Sequence, residues 1–208
     1  MKTKYPRTFH FEWSEGKSSD DKTLFDLSAF QDNEIVITEK MDGENTTMTN
    51  EHIYARSPDS GSHPSRNWVK GLWGNIRHEI PSGWRICGEN LFARHSVPYN
   101  NLPSYFMVFS IWDENNQCLS IDETIEYCKL LGLEFVPILH RGIFDLDFIK
   151  NFQVDTEKQE GFVMRLANGF SFEDFVKSVV KWVRKDHVKS DVHWMQQAIV
   201  PNGLMKSD

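Results

Sequence analysis

The chain has 208 residues, of which 39% are hydrophobic and 13% aromatic, enough for one α/β-sized domain with a packed core. It carries 23 lysines and arginines against 30 aspartates and glutamates, for a net charge of −7. This balance excludes a histone-like or broadly electrostatic nucleic-acid binder, so any nucleic-acid surface has to be local.

The predicted elements alternate irregularly between strands and helices. In chain order, strands are predicted at residues 35–40, 46–48 and 53–56, a helix at 64–80, strands at 84–89 and 106–112, a helix at 121–131, a strand at 135–139, a short helix at 146–152, and strands at 162–166 and 176–183. Ser120 and Glu123 can open the second helix as a capping box, and Gly132 can close it. Because strands often follow strands directly, we expect an α+β fold with mainly antiparallel sheets.

Composition also bounds the organisation and the compartment. No internal repeat or linker-like block interrupts the chain, so we expect a single domain over residues 1–208. Three cysteines without Cys-x-x-Cys spacing indicate neither a disulfide framework nor a zinc knuckle, and a reducing cytoplasm fits them best. No stretch approaches the roughly 18 apolar residues that span a bilayer, so no membrane partner is expected.

Lys40 ends the first predicted strand, in the stretch Glu39-Lys40-Met41-Asp42-Gly43-Glu44-Asn45. Asp42-Gly43 is a turn dipeptide, so residues 46–48 can pair back on residues 35–40. A lysine beside a hairpin turn is usually a solvated surface charge. Using it as a nucleophile at neutral pH costs about 4–5 kcal/mol unless burial and nearby positive charge lower its pKa. A nucleophilic Lys40 therefore requires cationic neighbours.

Five later segments place charged or aromatic residues on strand-like runs, where they can point into a common cleft. They are Tyr54-Ala55-Arg56-Ser57, Ile86-Cys87-Gly88-Glu89-Asn90, Phe106-Met107-Val108-Phe109-Ser110-Ile111-Trp112-Asp113, Gln159-Glu160-Gly161-Phe162-Val163-Met164-Arg165 and Val179-Val180-Lys181-Trp182-Val183-Arg184. With the Lys40 stretch, this ordered set resembles motifs I, Ia, III, IIIa, IV and V of the covalent nucleotidyltransferases, which include polynucleotide ligases and mRNA-capping enzymes. Asn45 gives the Lys-x-Asp-Gly-x-Asn form of RNA ligases, so the RNA ligase 2-like branch is the nearest match.

The resemblance implies a nucleotidyltransferase (ATP-grasp-like ligase) domain with flanking helices, and a role for each matching residue. Lys40 is the nucleophile that takes AMP from ATP, and Asp42 and Lys181 are further catalytic residues. The residues implied to bind ATP are Glu39, Asn45, Arg56, Glu89, Phe106, Glu160 and Lys181. Among them, Asn45 and Arg56 contact phosphate or the nick-side strand, Glu89 the ribose, Phe106 the adenine and Lys181 the α-phosphate, while Glu160 binds Mg²⁺ or Mn²⁺.

Each of these residues also has a plain structural explanation when it is taken alone. A strand phenylalanine such as Phe106 is most often core. Glu89 and Glu160 adjoin glycines and can be solvated strand ends, and Arg56 can be a surface charge. Lys181 alternates with apolar neighbours, as on the polar face of a half-buried strand. The ordered set favours the enzymatic interpretation over these separate ones, because Arg56 and Lys181 supply the cations that Lys40 requires.

Two features depart from the ligase pattern. The second lysine that is common in motif V falls here on Val183, which leaves one phosphate contact without a residue. Only about 24 residues follow Arg184, too few for an OB-fold or a separate C-terminal domain, so we expect a minimal catalytic domain. Recognition of RNA ends can then fall to a separate protein, or to the basic segment from Lys177 to Lys189.

The resulting prediction is an ATP-dependent RNA ligase that joins 5′-phosphate and 3′-hydroxyl RNA ends through a lysyl-AMP intermediate, expected to be a monomer. One alternative is a GTP-using capping guanylyltransferase, which Asn45 disfavours. A second alternative is a non-catalytic RNA- or nucleotide-binding module, which Val183 keeps open. His187 and His193 do not have zinc spacing and are predicted to be surface or RNA-facing residues.

Overall fold

Two β-sheets pack together in the computed structural model, which describes residues 2–59, 61–185 and 198–206. Lys189, His187 and His193 lie outside the described residues. The strands are β1 Phe9–Phe11, β2 Thr23–Leu24, β3 Glu34–Glu39, β4 Glu44–Met48, β5 Ile53–Ala55, β6 Arg85–Asn90, β7 Phe106–Trp112, β8 Gln117–Cys118, β9 Glu134–Phe135, β10 Ile138–Ile143, β11 Gly161–Leu166, β12 Phe170–Ser171 and β13 Val179–Val183. The helices are α1 Asn67–Ile76, α2 Ile121–Leu131, α3 Leu146–Lys150 and α4 Phe175–Ser178, and short 3₁₀ turns cover Ser28–Phe30, Pro64–Arg66 and Arg77–Glu79.

The first sheet has the strand order β10-β3-β11-β13-β1-β2. Strand β3, which lies between β10 and β11, is apolar without alternation because both of its faces are buried. Ile35 and Ile37 enter one core cluster with Phe162 and Val180. Val36 points to the other side and packs with residues of α2 and the segment after β11. A strand buried in this way holds its carboxyl end rigidly, and that end is where Lys40 follows.

The second sheet has the strand order β12-β8-β7-β6-β4-β5, and β9 pairs with β7 at its side. One of its faces packs against helices α1 and α2. Met48, Ile86 and Phe106 form that core with Val69 of α1 and Cys128 of α2. The opposite side of β6 and β7 contributes to the cleft between the two sheets.

Helix α2 begins and ends as its local signals predict. The Ser120 side chain accepts from the Glu123 main chain while the Glu123 carboxylate accepts from the Ser120 main chain, which completes the capping box. Gly132 ends the helix in the left-handed conformation, at φ 63°. The predicted helix at 64–80 is also present, as α1 flanked by two 3₁₀ turns.

The predicted hairpin around Asp42-Gly43 is wrong. Strand β3 pairs with β10 and β11, whereas β4 pairs with β5 and β6 in the other sheet. Residues 40–43 therefore carry the chain from one sheet to the other. Gly43 is needed at this crossing because a Cβ there would lie 2.5 Å from the Asn90 carbonyl oxygen.

Two predicted strands need correction. The stretch 176–183 begins as helix α4 and becomes strand only at Val179. The stretch 135–139 is interrupted, and its two halves join different sheets as β9 and β10. Short strands β1, β2, β8 and β12 were not predicted, because two or three residues carry no periodicity and their pairing is set by distant partners.

The α+β class with mostly antiparallel sheets is confirmed. The parallel pairs join β1 to β13, β1 to β2, and β7 to β9. Within the described part of the chain, no helix is both long and apolar enough to cross a membrane.

Candidate active site

A cavity of about 280 Å³ lies between the two sheets at the point where the chain crosses. The first sheet contributes Thr38, Val163 and Lys181, and the second contributes Asn45 and Glu89. Other predicted site residues that line it are Glu39, Lys40 and Arg56. Segments spread from residue 39 to residue 181 are thus brought to one cleft.

Lys40 follows the last residue of β3. Its main-chain nitrogen donates to the carbonyl oxygen of Gly161 at 3.0 Å, which extends the pairing of β3 with β11 past the strand end. Its amine, Nζ, donates to Glu160 Oε2 at 2.5 Å. The Lys40 side chain is 24% exposed and that of Glu160 only 6%, so the ion pair is partly shielded from water.

Carboxylates dominate the electrostatic surroundings of Lys40. Burial alone would lower the Lys40 pKa, but the negative charges of Glu160, Glu89 and Asp42 outweigh burial and leave that pKa raised. The expectation that Arg56 and Lys181 depress the Lys40 pKa is therefore wrong for the nucleotide-free protein. Lys40 is held as an ammonium ion, and it must lose a proton before it can attack.

Lys181 has the opposite electrostatic environment. It lies in the middle of β13, beside Val163 of β11. Burial, and then the positive charge of Lys40, lower the pKa of Lys181 to about 8. A cation that is poorly compensated by the protein is suited to binding an anion such as a phosphate.

Asp42 anchors the crossing segment, residues 40–43, which carries the chain from one sheet to the other. Its Oδ2 atom accepts from Ser96 N at 2.7 Å, Ser96 Oγ at 2.7 Å and Val97 N at 2.8 Å. The Asp42 main-chain nitrogen donates to Tyr99 Oη at 3.0 Å. With one oxygen taken by three donors, Asp42 holds residues 96–99 against the segment that carries Lys40.

Glu89, Glu39 and Asn45 line the same cavity as Lys40. Glu89 Oε1 accepts from Gly43 N at 3.1 Å, and burial raises the Glu89 pKa to about 8. Glu39 Oε2 accepts from the Gln159 amide at 3.0 Å. Asn45 Oδ1 is buried and has no hydrogen-bond partner among the described residues, which is costly unless a ligand supplies a donor.

Phe106 does not reach the cleft, which corrects its predicted contact with adenine. It is fully buried in the core against α1 and α2. A Cβ atom on residue 88 would lie 2.5 Å from Phe106 Cζ, so the close packing of the Phe106 ring requires glycine at position 88. Phe109 is the β7 phenylalanine that lines the cleft.

A β-bulge explains why Phe109 and Ser110 both line the cleft. Cys87 pairs with Ser110 and Gly88 with Val108, so Phe109 is an extra residue in β7. Both Phe109 and Ser110 border the cavity, although strict alternation would turn one of them away. An adenine ring can stack on Phe109, an option that the sequence contained but that was assigned to Phe106.

Arg165 is a cleft residue to which no role was assigned. It is 4% exposed, and its Nη2 donates to Leu119 O at 2.8 Å while Nη1 has no partner within the described chain. Its guanidinium carbon lies 4.9 Å from the centre of the Phe170 ring. The sequence feature that could have identified Arg165 is its position as a single arginine in the otherwise apolar run of β11, because buried charged residues are rare unless they are paired or functional.

The segment before β3 also contributes to the cleft, although no element was predicted there. Tyr5, Arg7 and Asp21 line the cavity. The Tyr5 ring packs edge-on against Phe109, with the ring centres 5.2 Å apart. Arg56, which was predicted to contact phosphate, donates from Nε to the Tyr5 carbonyl oxygen at 3.4 Å.

Val183 is buried at the end of β13 and supplies no cation to the cleft. Arg184 does not replace it. Its main-chain nitrogen donates to the Glu160 carbonyl oxygen, and the residue is not among those that border the cavity. The positive charge from this strand therefore comes from Lys181.

The cleft fits a divalent cation that is shared with a ligand. The described residues contain no group of three or more His, Cys, Asp or Glu side chains that could hold a metal by themselves. Glu160 and Glu89 nevertheless both act electrostatically on Lys40, and the negative charge of Glu160 also helps to raise the pKa of Glu89. Mg²⁺ is commonly bound by one or two carboxylates, with substrate phosphates and water as the other ligands. Two carboxylates beside a phosphate site suit that arrangement.

Comparison with known proteins gives a consistent family and fold. The sequence model of a family described as RNA ligase matches residues 33–183, which is more than half of the chain. No match was found among curated proteins.

Three solved structures have a similar fold. A form 2 structure of an archaeal ATP-dependent RNA ligase has a TM-score of 0.56 and 16% identity, covering 86% of this chain and 48% of that one. A putative ATP-dependent DNA ligase from Aquifex aeolicus has a TM-score of 0.54 and 22% identity, with 88% and 50% coverage. A mutant of the Naegleria gruberi RNA ligase, with ATP and Mn, has a TM-score of 0.50 and 16% identity, with 76% and 51% coverage. The chain spans about half the length of these structures.

Proposed function

The chain belongs to the RNA ligase family, and from that membership we propose that it is an ATP-dependent RNA ligase with Lys40 as its nucleophile. The observation that carries the proposal is the position of the Lys40 amine. It lies in the cleft between the sheets, 2.5 Å from a carboxylate oxygen of Glu160, and it shares the cleft with Lys181. A surface lysine would have neither a buried carboxylate partner nor a second lysine beside it.

The first step transfers AMP from ATP to Lys40. Lys40 Nζ gives up a proton, for which the hydrogen-bonded Glu160 carboxylate is the nearest acceptor, and the free amine attacks the α-phosphorus. A nitrogen–phosphorus bond forms as the bond from the α-phosphorus to the bridging oxygen breaks, and pyrophosphate leaves. The nitrogen then loses a second proton, which yields lysyl-AMP.

Other residues of the cleft bind and orient ATP. Phe109 would stack on adenine and Glu89 would accept from the ribose hydroxyls. Lys181 and Arg56 would offset the charge that grows on the phosphate oxygens. Glu160 would hold a divalent cation, Mg²⁺ or Mn²⁺. When bound, that cation neutralises the pyrophosphate leaving group.

Two further transfers would complete sealing. An oxygen of the RNA 5′-phosphate attacks the phosphorus of lysyl-AMP, the nitrogen–phosphorus bond breaks, and adenylylated RNA forms as Lys40 is released. The 3′-hydroxyl of the other end then attacks the RNA phosphate, loses its proton and expels AMP. The product is an ordinary phosphodiester bond.

The experiment is covalent labelling of the purified protein with α-labelled ATP, in parallel with α-labelled GTP, in the presence of Mg²⁺ or Mn²⁺. A denaturing gel and intact mass then report a bound nucleotide. We expect one AMP per chain, lost in Lys40→Ala and retained in Lys158→Ala. Lys158 is a suitable control because its side chain is 80% exposed and forms an ion pair with the neighbouring Asp155.

The other results separate the rival functions. Labelling by GTP in preference to ATP would support a capping-type guanylyltransferase. Labelling that survives Lys40→Ala would contradict the assignment of the nucleophile. RNA or nucleotide binding without any adduct would support a non-catalytic module, the alternative that Val183 at the second motif V position keeps open.

The wider expectations stay predictions. They are RNA ends that carry a 5′-phosphate and a 3′-hydroxyl, a separate protein that assists end recognition, a monomeric state and a cytoplasmic location.

A further inference from the structure

Residues 9–21 precede the part of the chain that matches the RNA ligase family, yet they border Lys181. Strand β1 runs parallel to β13, and His10 is the partner of Lys181 in the register. Asp21, from the segment that leads into β2, lines the same cavity as Lys181. A segment outside the matched region therefore contacts the strand that carries a catalytic lysine.

Three side chains of this segment form a connected series. The imidazole of His10 lies between Ser14 and Asp21. Its Nδ1 is hydrogen-bonded with Ser14 Oγ at 2.9 Å, whereas its Nε2 lies 3.4 Å from Asp21 Oδ2 and forms no hydrogen bond among the described residues. His10 is 1% exposed and Ser14 is 4% exposed. Asp21 is fixed in turn by Ser18, whose main-chain nitrogen and hydroxyl donate to Oδ2 at 3.0 and 2.8 Å.

The same series holds the backbone of β13. The Val183 main-chain nitrogen donates to Ser14 Oγ at 3.0 Å. His10 is thus adjacent to residue 181, and Ser14 fixes residue 183, two positions further along the strand. This is the position at which the family pattern led us to expect a second lysine.

We propose that Ser14, His10 and Asp21 form a positioning relay that holds Lys181 in place at the α-phosphate. The proposal rests on the proposed function for the role of Lys181, and it adds residues from outside the matched region. The relay combines a packed histidine, a backbone contact to β13 and a carboxylate in the cleft. Together these contacts hold strand β13 in place and keep the Asp21 carboxylate in the cleft with Lys181.

Several charged groups act on Lys181, and they come from different elements. Lys40 after β3 and Arg56 after β5 are positive, whereas Asp21 before β2 and Glu160 before β11 are negative. The pKa of Lys181 is lowered mainly by burial and by Lys40, and Asp21 opposes this more strongly than Glu160 does. Removing the charge of Asp21 should therefore lower the Lys181 pKa further.

The test measures Lys181 without any nucleotide. An amine-acylating reagent is applied to the intact protein over a series of pH values, and peptide mass mapping gives the rate of Lys181 modification at each pH. In Asp21→Asn the midpoint of the Lys181 profile should fall by about half a pH unit or more. Asp20→Asn is the matched control, because the Asp20 side chain is 74% exposed and should leave the profile unchanged.

An unchanged Lys181 profile in Asp21→Asn would overturn the proposal, and so would an equal shift in Asp20→Asn. If Asp21→Asn does not fold, Ser18→Ala removes the hydroxyl donor to the Asp21 carboxylate and keeps the carboxylate and its main-chain donor. It should then change the Lys181 profile while leaving that of the exposed Lys158 as it is, and no change would again overturn the proposal.

A second readout addresses positioning directly. At saturating ATP, Asp21→Asn should form the adduct several-fold more slowly, with little change in the ATP concentration that gives half-saturation. An effect on half-saturation alone would contradict a positioning role. If the wild-type protein forms no adduct, the proposed function fails, but the acylation result still decides whether Asp21 acts on Lys181.

Discussion

Phe106 and Phe109 lie on the same strand, but Phe106 is buried against helices α1 and α2, whereas Phe109 borders the cleft beside Tyr5. They are three positions apart, so strand alternation turns them to opposite faces of the sheet, and the bulge at Phe109 then brings Ser110 to the cleft as well. One phenylalanine therefore contributes to the core and the other is available to a ligand.

Exchanging each phenylalanine for alanine should separate these roles. Phe106→Ala should lower the free energy of unfolding by about 3–5 kcal/mol, because it leaves a cavity in a closed core. Phe109→Ala should cost less stability but weaken ATP binding about ten-fold or more, through loss of base stacking. Urea unfolding and nucleotide titration measure the two effects. Equal losses of ATP affinity in both variants would contradict the assignment of Phe109.

The hydrogen bonds of Asp42 predict a second stability effect. Asp42→Ala leaves the main-chain nitrogens of Ser96 and Val97 without their acceptor, and we expect a loss of about 1–3 kcal/mol in the free energy of unfolding. Adduct formation should also slow, because the segment that carries Lys40 loses its anchor. Ser96→Ala is the control, since it removes only the hydroxyl donor. A loss in Ser96→Ala as large as that in Asp42→Ala would argue against this anchoring role.

Replacing Asn45 should affect the stability of the free protein and its binding of ATP differently. Its Oδ1 is buried without a partner in the described chain, so Asn45→Ala should leave the melting temperature of the free protein equal or higher. The rise in melting temperature on adding ATP should shrink, because the side chain would no longer meet the ligand. Asn75→Ala, an exposed change on α1, should leave the ATP-induced rise unchanged. An undiminished ATP-induced rise in Asn45→Ala would exclude Asn45 from the nucleotide site.

The buried His10 predicts a pH dependence of stability. Burial, and then the charge of Lys181, lower the pKa of His10 from 6.5 to about 4. Below pH 6.5, His10 is therefore protonated in the unfolded chain, whereas in the folded protein it stays neutral until the pH falls to about 4. The contribution of His10 to the free energy of unfolding is therefore retained above pH 6.5. It is lost as the pH falls, by on the order of 2 kcal/mol at pH 5.

Urea unfolding at pH 7 and pH 5 checks this sign. His10→Gln should reduce the difference in unfolding free energy between the two pH values. His78→Gln, at a side chain that is 71% exposed, should retain the full difference. A His10→Gln variant with the same pH dependence as the wild type would show that His10 is not the group responsible.

The features that sequence predicts well here are those set by neighbouring residues. Helix α2 has the predicted bounds because Ser120, Glu123 and Gly132 satisfy its ends locally. The apolar run of β3 likewise identifies a buried strand. Lys40, Glu89, Arg56 and Lys181 share one cleft, as the order of the motifs implied.

The features that sequence missed depend on contacts between distant segments. Strand β4 pairs with β5 and β6 of the second sheet, and the Asp42-Gly43 dipeptide cannot specify those distant partners. The pKa of Lys40 follows from Glu160, whose distance from Lys40 is a property of the folded chain. The cleft contacts of Tyr5, Arg7 and Asp21 arise because β1 and β2 join the far side of the first sheet, and strands this short leave no pattern.

The crossing segment after β3 has a consequence for how an adenylylated protein would work. Lys40 is tied at its main chain to Gly161, and Asp42, two residues later, is tied to Ser96 and Val97. Some group-transfer proteins carry their cargo on a swinging arm from one site to another. A nucleotide on Lys40 has no such freedom, because its attachment point is fixed between two sheets. The RNA end would have to travel to the adenylate, so the cleft must admit the polynucleotide while AMP stays in place.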